Sequence, residues 1–418
     1  MDIEIQPQAL RGTVEAVSSK SDVHRALICA ALSDRKTEIS CNLMSKDIEA
    51  TARCLNAAGA GIVYEKAAGK LLVSPVGSSA REGMRGDDRE EELFCGESGS
   101  TLRFLIPVMA ALGKPVCFTG AGELPNRPLS ALLSVLSAHG MEFDGEKLPL
   151  RMRGRLEPGV YRLPGNISSQ YITGLLLAFP LMEGASEIRL LTELQSAAYV
   201  DMTLDTMSRF GINIDRTENG FYYTSGTYRS PEQYAADGDW SNAAFWLCAD
   251  HLPGNALDVR GLRGLSVQGD RAVAEILKKH FHKEHAENTR TIDVSEIPDL
   301  TPALAALAVC TPGTTEFVNA ERLRIKECDR ISALHELAEA LGAGASETAS
   351  SLIIHGNARP EGGCSIDSHN DHRIAMAAAI AASACRNNVI IRGAQAVEKS
   401  YPHFFEDYRK LGGKADVI

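Results

Sequence analysis

Six times along the chain, a small polar opening leads into a long stretch dominated by alanine and leucine. The stretches are "SDVHRALICAAL" from Ser21, "SGSTLRFLIPVMAAL" from Ser98, "SSQYITGLLLAFPL" from Ser168, "DWSNAAFWLCA" from Asp239, "DLTPALAALAV" from Asp299 and "NDHRIAMAAAIAA" from Asn370. Apolar residues on nearly every side predict a helix buried all round, and the polar opening predicts a cap. A β-like run follows each: "TEISCNL", "KPVCFTG", "SEIRLL", "NALDVRGL", "TTEFVNA" and "NVIIRGA". Next comes an amphipathic helix, usually closed by glycine, as in "CLNAAGA", "VLSAHGM", "MSRFGIN", "LAEALGA" and "YRKLGGK". The fourth unit departs, ending "LKKHFHKE". Another short strand is expected to close each of the first five units: "KLLVSPV", "LPLRMRG", "GFYYTSG", "RTIDVSE" and "SLIIHG".

One α/β unit repeated in this way predicts a repeat architecture. The sixth unit has little chain left after "GGKADVI", and the opening "IEIQP" is expected to supply the missing strand. That would put both termini in one domain. The expected fold class is α/β (α+β), a two-lobed body of six βαβαββ-like repeats, three per domain, with helices buried at the centre of each lobe. Residues 1–19 and 238–418 form the expected lower domain, and residues 20–237 the upper one. The chain would cross near Ser19 and near Gly238, and a small ligand is expected in the cleft between the lobes.

A length of 418 residues exceeds one ordinary core, which agrees with two domains. No apolar run approaches membrane length, since "ITGLLLAFPLM" is broken at Pro180, and "MDIEIQPQAL" lacks the basic start and apolar run of a targeting signal. Ten cysteines show no CxxC or CxxH spacing, and Cys29, Cys248 and Cys310 sit in apolar runs. They predict reduced core thiols and no zinc site, hence a cytoplasmic protein. A formal net charge of −11 argues against general binding to nucleic acid or anionic membranes, without forbidding a local basic pocket.

In a purely structural repeat the six helix openings would be chemically interchangeable, and they are not. The first carries Lys20, Ser21 and Arg25, the third Ser168, Ser169 and Gln170, the fifth Asp299 in "IPDLTP", and the sixth Asp371, His372 and Arg373 in "NDHR". Cations ordinarily favour the other end of a helix, so Lys20 and Arg25 point to an anion held at this one; the alternative is a plain cap by Ser21 or Asp22, with the cations in water. More cations gather in loops: Arg127 in "LPNRPL", Arg324, Lys326 and Arg330 in "RLRIKECDR", and Lys399 in "VEKSYP". Arg forks, Lys point charges, hydroxyls and an amide suit two anionic, oxygen-rich molecules. Each piece alone has a plainer reading. Asp299 could be only a cap, His372 a satisfied helix-start histidine, "RIKECDR" a solvated face, and Gly99 a turn or a place where backbone approaches a ligand.

The ordered set K-S-x-x-H-R, S-G-S-T-x-R, N-R-P-L, S-S-Q, S-x-x-Y-V-D, I-P-D, R-I-K-E-x-D-R, N-D-H-R and E-K-S-Y-P, running from Lys20 to Lys399, closely resembles the 5-enolpyruvylshikimate-3-phosphate synthase family. The resemblance implies the two-lobed enolpyruvyl-transferase fold and transfer of the enolpyruvyl group of phosphoenolpyruvate to the 5-hydroxyl of shikimate 3-phosphate by addition and elimination; because the expected cleft lies within one chain, a monomer is expected. It implies that Lys20, Ser21, Arg25, Ser168, Ser169, Gln170, Ser196, Tyr199, Asp299 and Lys326 hold shikimate 3-phosphate. Lys20, Gly99, Arg127, Gln170, Arg330, Arg373 and Lys399 would surround phosphoenolpyruvate. Asp299 is the expected base and Glu327 a proton shuttle, with Lys20 and His372 assisting. No metal or organic cofactor is implied, and no nucleic-acid or membrane partner.

The chain also departs from that family's best-known pattern. Where those members read N-A-G-T-A-x-R-P, this chain has Glu97, Ser98, Ser100, Thr101 and Phe104 around Gly99. That leaves sensitivity to glyphosate, the family's phosphoenolpyruvate-like inhibitor, open. Arg322 stands where an asparagine often meets the shikimate phosphate, and it is left out of the expected site. The nearest rival is the UDP-N-acetylglucosamine enolpyruvyl transferase, whose reactive loop cysteine has no counterpart in "GAGELPNRP"; Cys117 precedes that loop in a β-like run. A DNA clamp of repeated α/β units is a rival of another class, but it needs a basic lining and no single-copy Asp, His or Gln in register.

Overall fold

The computed structural model describes residues 1–77, 90–281 and 288–418. The chain divides into two compact units, Ser18–Ala236 and the pair of segments Met1–Val17 with Asp237–Ile418.

Three four-stranded sheets build Ser18–Ala236. Their orders are Gln233–Ala235, Thr37–Ser40, Lys70–Ser74, Gly61–Glu65; then Glu91–Phe94, Val116–Thr119, Leu150–Gly154, Met141–Phe143; then Val160–Leu163, Ser186–Leu190, Gly220–Tyr223, Asp215–Thr217. In each, the first two strands run parallel and the remaining pairs antiparallel. A parallel pair needs a long crossover, and the apolar helix supplies it: Gly99–Leu112 in the second repeat and Ser169–Ala178 in the third. In the first repeat, helix Lys20–Ala31 leads into Thr37–Ser40, while the parallel partner arrives from the far end of the unit. Ile39 stands opposite both Tyr234 and Leu71, and all three are buried.

The other unit repeats the plan with one defect. The fifth sheet runs Thr289–Asp293, Gly313–Val318, Leu352–Gly356, Gly344–Glu347, and the sixth Ser365–Asp367, Val389–Arg392, Ile3–Gln6, Lys414–Val417. Ile3 lies between Ile391 and Val417, so the opening strand occupies the place that the other sheets fill with their last strand. The fourth sheet has only Arg11–Glu15 beside Ala256–Arg260 among the described residues. "RTIDVSE" therefore does not close the fourth repeat. Its strand, Thr289–Asp293, pairs parallel with Gly313–Val318 and opens the fifth sheet. The cause is the crossover: the apolar helix Thr301–Val309 carries the chain from this strand to a parallel neighbour, as the apolar helices do in the second and third repeats. Residues 282–284 of "LKKHFHKE" lie outside the described residues.

The first helices are the cores of their units. Every residue of Thr301–Val309 and of His372–Ala382 is buried, as is Asp22 through Ala31 in Lys20–Ala31. Each fully buried Leu or Ile contributes about 1.5–3 kcal/mol of transfer free energy. Small residues let these helices approach closely. In Gly99–Leu112, Pro107 offers no N–H to the carbonyl of Arg103 one turn earlier. That carbonyl faces Gly174 on Ser169–Ala178, where a Cβ would stand 2.5 Å from the oxygen and 3.0 Å from Pro107 Cγ. Glycine is required there by proximity, and the contact draws the openings of the two helices together.

Candidate active site

Capping side chains hold most of these openings in place. Ser19, and not Ser21 or Asp22, caps Lys20–Ala31 by accepting from the Asp22 N–H. Ser98 accepts from Thr101, Ser168 from Gln170, and Asp371 from Arg373. Buried hydroxyls then stitch two openings of Ser18–Ala236 together through the middle of helix Lys46–Ala57. Thr51 Oγ1 lies 2.7 Å from His24 Nδ1 and 2.6 Å from Thr101 Oγ1, and Thr101 donates to Ser98 Oγ at 2.8 Å. Burial, reinforced by Lys20 and Arg25, holds His24 well below the usual imidazole range, so it serves as a neutral member of this chain.

On that frame Lys20, the first residue of its helix, pairs with Asp47 at 2.8 Å. The cation is thus offset by an acid at the start of helix Lys46–Ala57, itself a favourable place for negative charge. Arg25 is buried beneath it. Its guanidinium donates to Thr203 Oγ1 at 2.8 Å, to the Ser21 carbonyl at 2.6 Å and to the Tyr199 carbonyl at 2.8 Å, and lies over the Phe104 ring. Burial pulls it down to about 10, against the opposing pull of Asp22. Ser196, which precedes helix Ala197–Arg209, holds the left-handed backbone (φ 55°) that side-chain-bearing residues seldom adopt. Ser168 and Ser169 are buried at the opening of their helix. Gln170 donates from Nε2 to Ser100 Oγ at 2.9 Å, while its Oε1 accepts from Arg103. Gly99 lies directly under Arg127, where a Cβ would meet Nη1 at 2.7 Å. Lys20, Ser21, Arg25, Gly99, Arg127, Ser168, Ser169, Gln170, Ser196 and Tyr199 all belong to this unit.

The second cluster belongs to the unit of Met1–Val17 and Asp237–Ile418. Asp299 follows "IP" and precedes helix Thr301–Val309, but it does not cap it. Its Oδ1 lies 2.9 Å from Arg330 Nη1 and 3.4 Å from Lys326 Nζ; its Oδ2 lies 3.3 Å from Arg373 Nη2, and its carbonyl accepts from Arg373 Nη1. Arg330, 1% exposed, also reaches Glu327 Oε2 at 2.7 Å and grips Asp371 with Nε at 2.7 Å and Nη2 at 3.3 Å. Three cations and three carboxylates interlock, which offsets the cost of burying any one of them. "RIKECDR" is therefore not a solvated face. Burial drives Lys326 down to about 8, with Arg330 and Arg322 pushing the same way against Asp299. Burial also raises Asp270 to about 6, reinforced by Asp299 and opposed by Arg373; Ser241 donates to it. His372 is buried with Nδ1 3.8 Å from Asp371 Oδ1. Lys399 donates to the Asn370 carbonyl at 2.5 Å, within a loop where His369 and Asn370 both take left-handed backbone.

Asp47, an acid in a first helical turn, escaped the sequence reading. Asp371 stands in "NDHR" and Arg103 in S-G-S-T-x-R, with no role assigned to either; Arg103 carries a further signal, as a single cation inside the apolar stretch "LRFLIPVMAAL". Among the described residues no group of three or more His, Cys, Asp or Glu side chains is arranged to hold a metal ion.

The same two-unit arrangement of repeats defines a known class. Solved structures of EPSP synthase from Acinetobacter baumannii (TM-score 0.81, 24% identity, 100% of both chains) and of the enolpyruvyl transferase NikO from Streptomyces tendae (TM-score 0.75, 17% identity, 99% and 98%) share this fold. The family model for EPSP synthase (3-phosphoshikimate 1-carboxyvinyltransferase) matches residues 5–408. Relatives named 3-phosphoshikimate 1-carboxyvinyltransferase include those of Clostridium kluyveri, 42% identical over 99% of this chain and 98% of that protein, and Clostridium acetobutylicum, 40% identical over 98% and 97%. The chain belongs to the EPSP synthase family.

Proposed function

We propose that this protein transfers the enolpyruvyl group of phosphoenolpyruvate to the 5-hydroxyl of shikimate 3-phosphate and releases phosphate, in the shikimate pathway of aromatic biosynthesis. The observation that carries the reading is the ring of cations and acids around Asp299, in a chain that matches the family model over residues 5–408. Lys20, Ser21, Arg25, Ser168, Ser169, Ser196, Tyr199 and Lys326 hold shikimate 3-phosphate; Gly99, Arg127, Arg330, Arg373 and Lys399 receive phosphoenolpyruvate; and Gln170 and Lys20 meet both.

In the addition step the 5-hydroxyl oxygen bonds to C2 of phosphoenolpyruvate while C3 takes a proton. Asp299 accepts the hydroxyl proton, exchanging part of its cation contacts for the substrate, and Glu327 delivers the proton to C3, with Lys20 and His372 assisting. In the elimination step C3 returns a proton, the double bond re-forms and the C2–O bond to phosphate breaks. The guanidinium and ammonium groups stabilise the departing phosphate, and their effect grows as water is excluded. The chemistry asks no redox step of the protein. The reading includes a cytoplasmic monomer; among the described residues no helix is long and apolar enough to cross a membrane.

Phosphate release measured with each acceptor tests this assignment. Release with phosphoenolpyruvate and shikimate 3-phosphate, and none with UDP-N-acetylglucosamine, is expected. The opposite preference would overturn it.

A further inference from the structure

Arg103 lies outside every motif role assigned above, yet it is 5% exposed and sits one turn into the helix that opens at Gly99. A buried guanidinium is costly unless its donors are engaged, so where they go is informative. Nη1 donates to Gln170 Oε1 at 2.7 Å, and Nη2 donates to the Pro128 carbonyl at 3.2 Å. The guanidinium carbon stands 5.6 Å from the centre of the Tyr171 ring, and the Tyr171 hydroxyl donates to the same Pro128 carbonyl at 2.5 Å.

These two bonds end beside two proposed phosphoenolpyruvate contacts. An amide has two faces of opposite character, an acceptor oxygen and a donor nitrogen. Arginine has no acceptor, so a bond to Gln170 admits only the oxygen. With Oε1 committed to Arg103, Nε2 must face the other way, where it donates to Ser100 Oγ. The second bond fixes the carbonyl of the residue immediately after Arg127, whose guanidinium packs on Gly99. Gly174 leaves room for the carbonyl of Arg103 itself, so the two helices lie close enough for both bonds.

We infer that Arg103 is a positioning residue for enolpyruvyl transfer: one rigid fork sets the amide orientation of Gln170 and the placement of the Arg127 loop, so that phosphoenolpyruvate meets donors from both. The inference rests on the proposed transfer reaction. A lysine cannot replace this fork, because a single ammonium on a flexible stem does not present two donors at fixed separation.

The test is a double-mutant cycle on Arg103→Met and Gln170→Ala, with Arg103→Lys as a third variant, read as KM for phosphoenolpyruvate, kcat and thermal midpoint. Wild-type activity is measured first with phosphoenolpyruvate and shikimate 3-phosphate; its absence would count against the transfer reaction itself. Given an active wild type, R103M is expected to lower kcat/KM for phosphoenolpyruvate by roughly 10- to 100-fold, the scale of small misplacements at a reacting centre. R103K is expected to fall within about 3-fold of R103M, and R103M/Q170A to lose much less than the product of the two single losses. Three results would overturn the inference: full activity in R103K, strictly multiplicative losses in the double variant, or a lowered thermal midpoint with unchanged KM.

Discussion

Replacing Gly99 with alanine separates stability from substrate binding. A Cβ there would lie 2.7 Å from Arg127 Nη1 and 3.1 Å from Arg127 Cζ. Ordinary contact begins near 3.4 Å, so the guanidinium must retreat by about 0.7 Å. The retreat costs the fold little, because the displaced group is the end of a flexible side chain. Gly99 is also the first residue of its helix, with Ser98 as cap, and alanine is a better helix former than glycine by up to about 1 kcal/mol. The substrate sees a different change: a cation that is to meet phosphoenolpyruvate has moved, and its fixed geometry is lost. Since a displacement of about 1 Å can cost up to roughly 100-fold, 0.7 Å is expected to raise KM for phosphoenolpyruvate about 10-fold. KM for shikimate 3-phosphate should change by less than about 3-fold, and the thermal midpoint should hold or rise. Steady-state kinetics with each substrate varied, beside thermal denaturation, reads all three. An unchanged KM for phosphoenolpyruvate, or a loss of several degrees in midpoint, would refute the reasoning.

Further outcomes follow from the ion network. Lys326, brought down to about 8, loses its charge as pH rises through 8, so titration calorimetry should show shikimate 3-phosphate binding weaken between about pH 7.5 and 9, and Lys326→Arg should flatten that profile. Asp270 takes up its proton near 6 in the folded state but only near 3.8 when unfolded, so the folded state binds more protons between those values and stability falls as pH rises through them. Denaturant melts of Asp270→Asn against wild type should show the variant relatively more stable at pH 7 than at pH 4, by up to about 3 kcal/mol. Asp371→Ala strips two bonds from the almost fully buried Arg330 and should cost about 3–5 kcal/mol in a urea melt; a cost under about 1 kcal/mol would mean that Arg330 finds other partners.

The fold was legible because its signals are periodic and local. Six apolar helices opened by polar caps, with β-like runs after them, are visible residue by residue, and the short sixth unit pointed back to "IEIQP". The misassignment of "RTIDVSE" shows the limit: a strand's identity is local, but its partner is chosen by the crossover that follows it and by sheet geometry. The same divide holds at the site. Lys20, Arg25, Arg127, Arg330 and Arg373 announce themselves as cations in unusual places. Which groups they meet, Asp47, the Tyr199 carbonyl, the Asp371 carboxylate and the Asp299 carbonyl, is settled only in the third dimension. Arg103 lies between these cases, conspicuous in an apolar run yet pointing at an amide 67 positions away.

Transfer by addition and elimination leaves one direct trace. Addition turns the C3 methylene into a methyl group that carries one new proton, and elimination removes one of the three. Mass spectrometry of the product formed in deuterium oxide from phosphoenolpyruvate and shikimate 3-phosphate should therefore show deuterium in the new enolpyruvyl methylene, with one phosphate released per product. Phosphate set free without the acceptor, or a coupled product that carries no deuterium, would contradict the account.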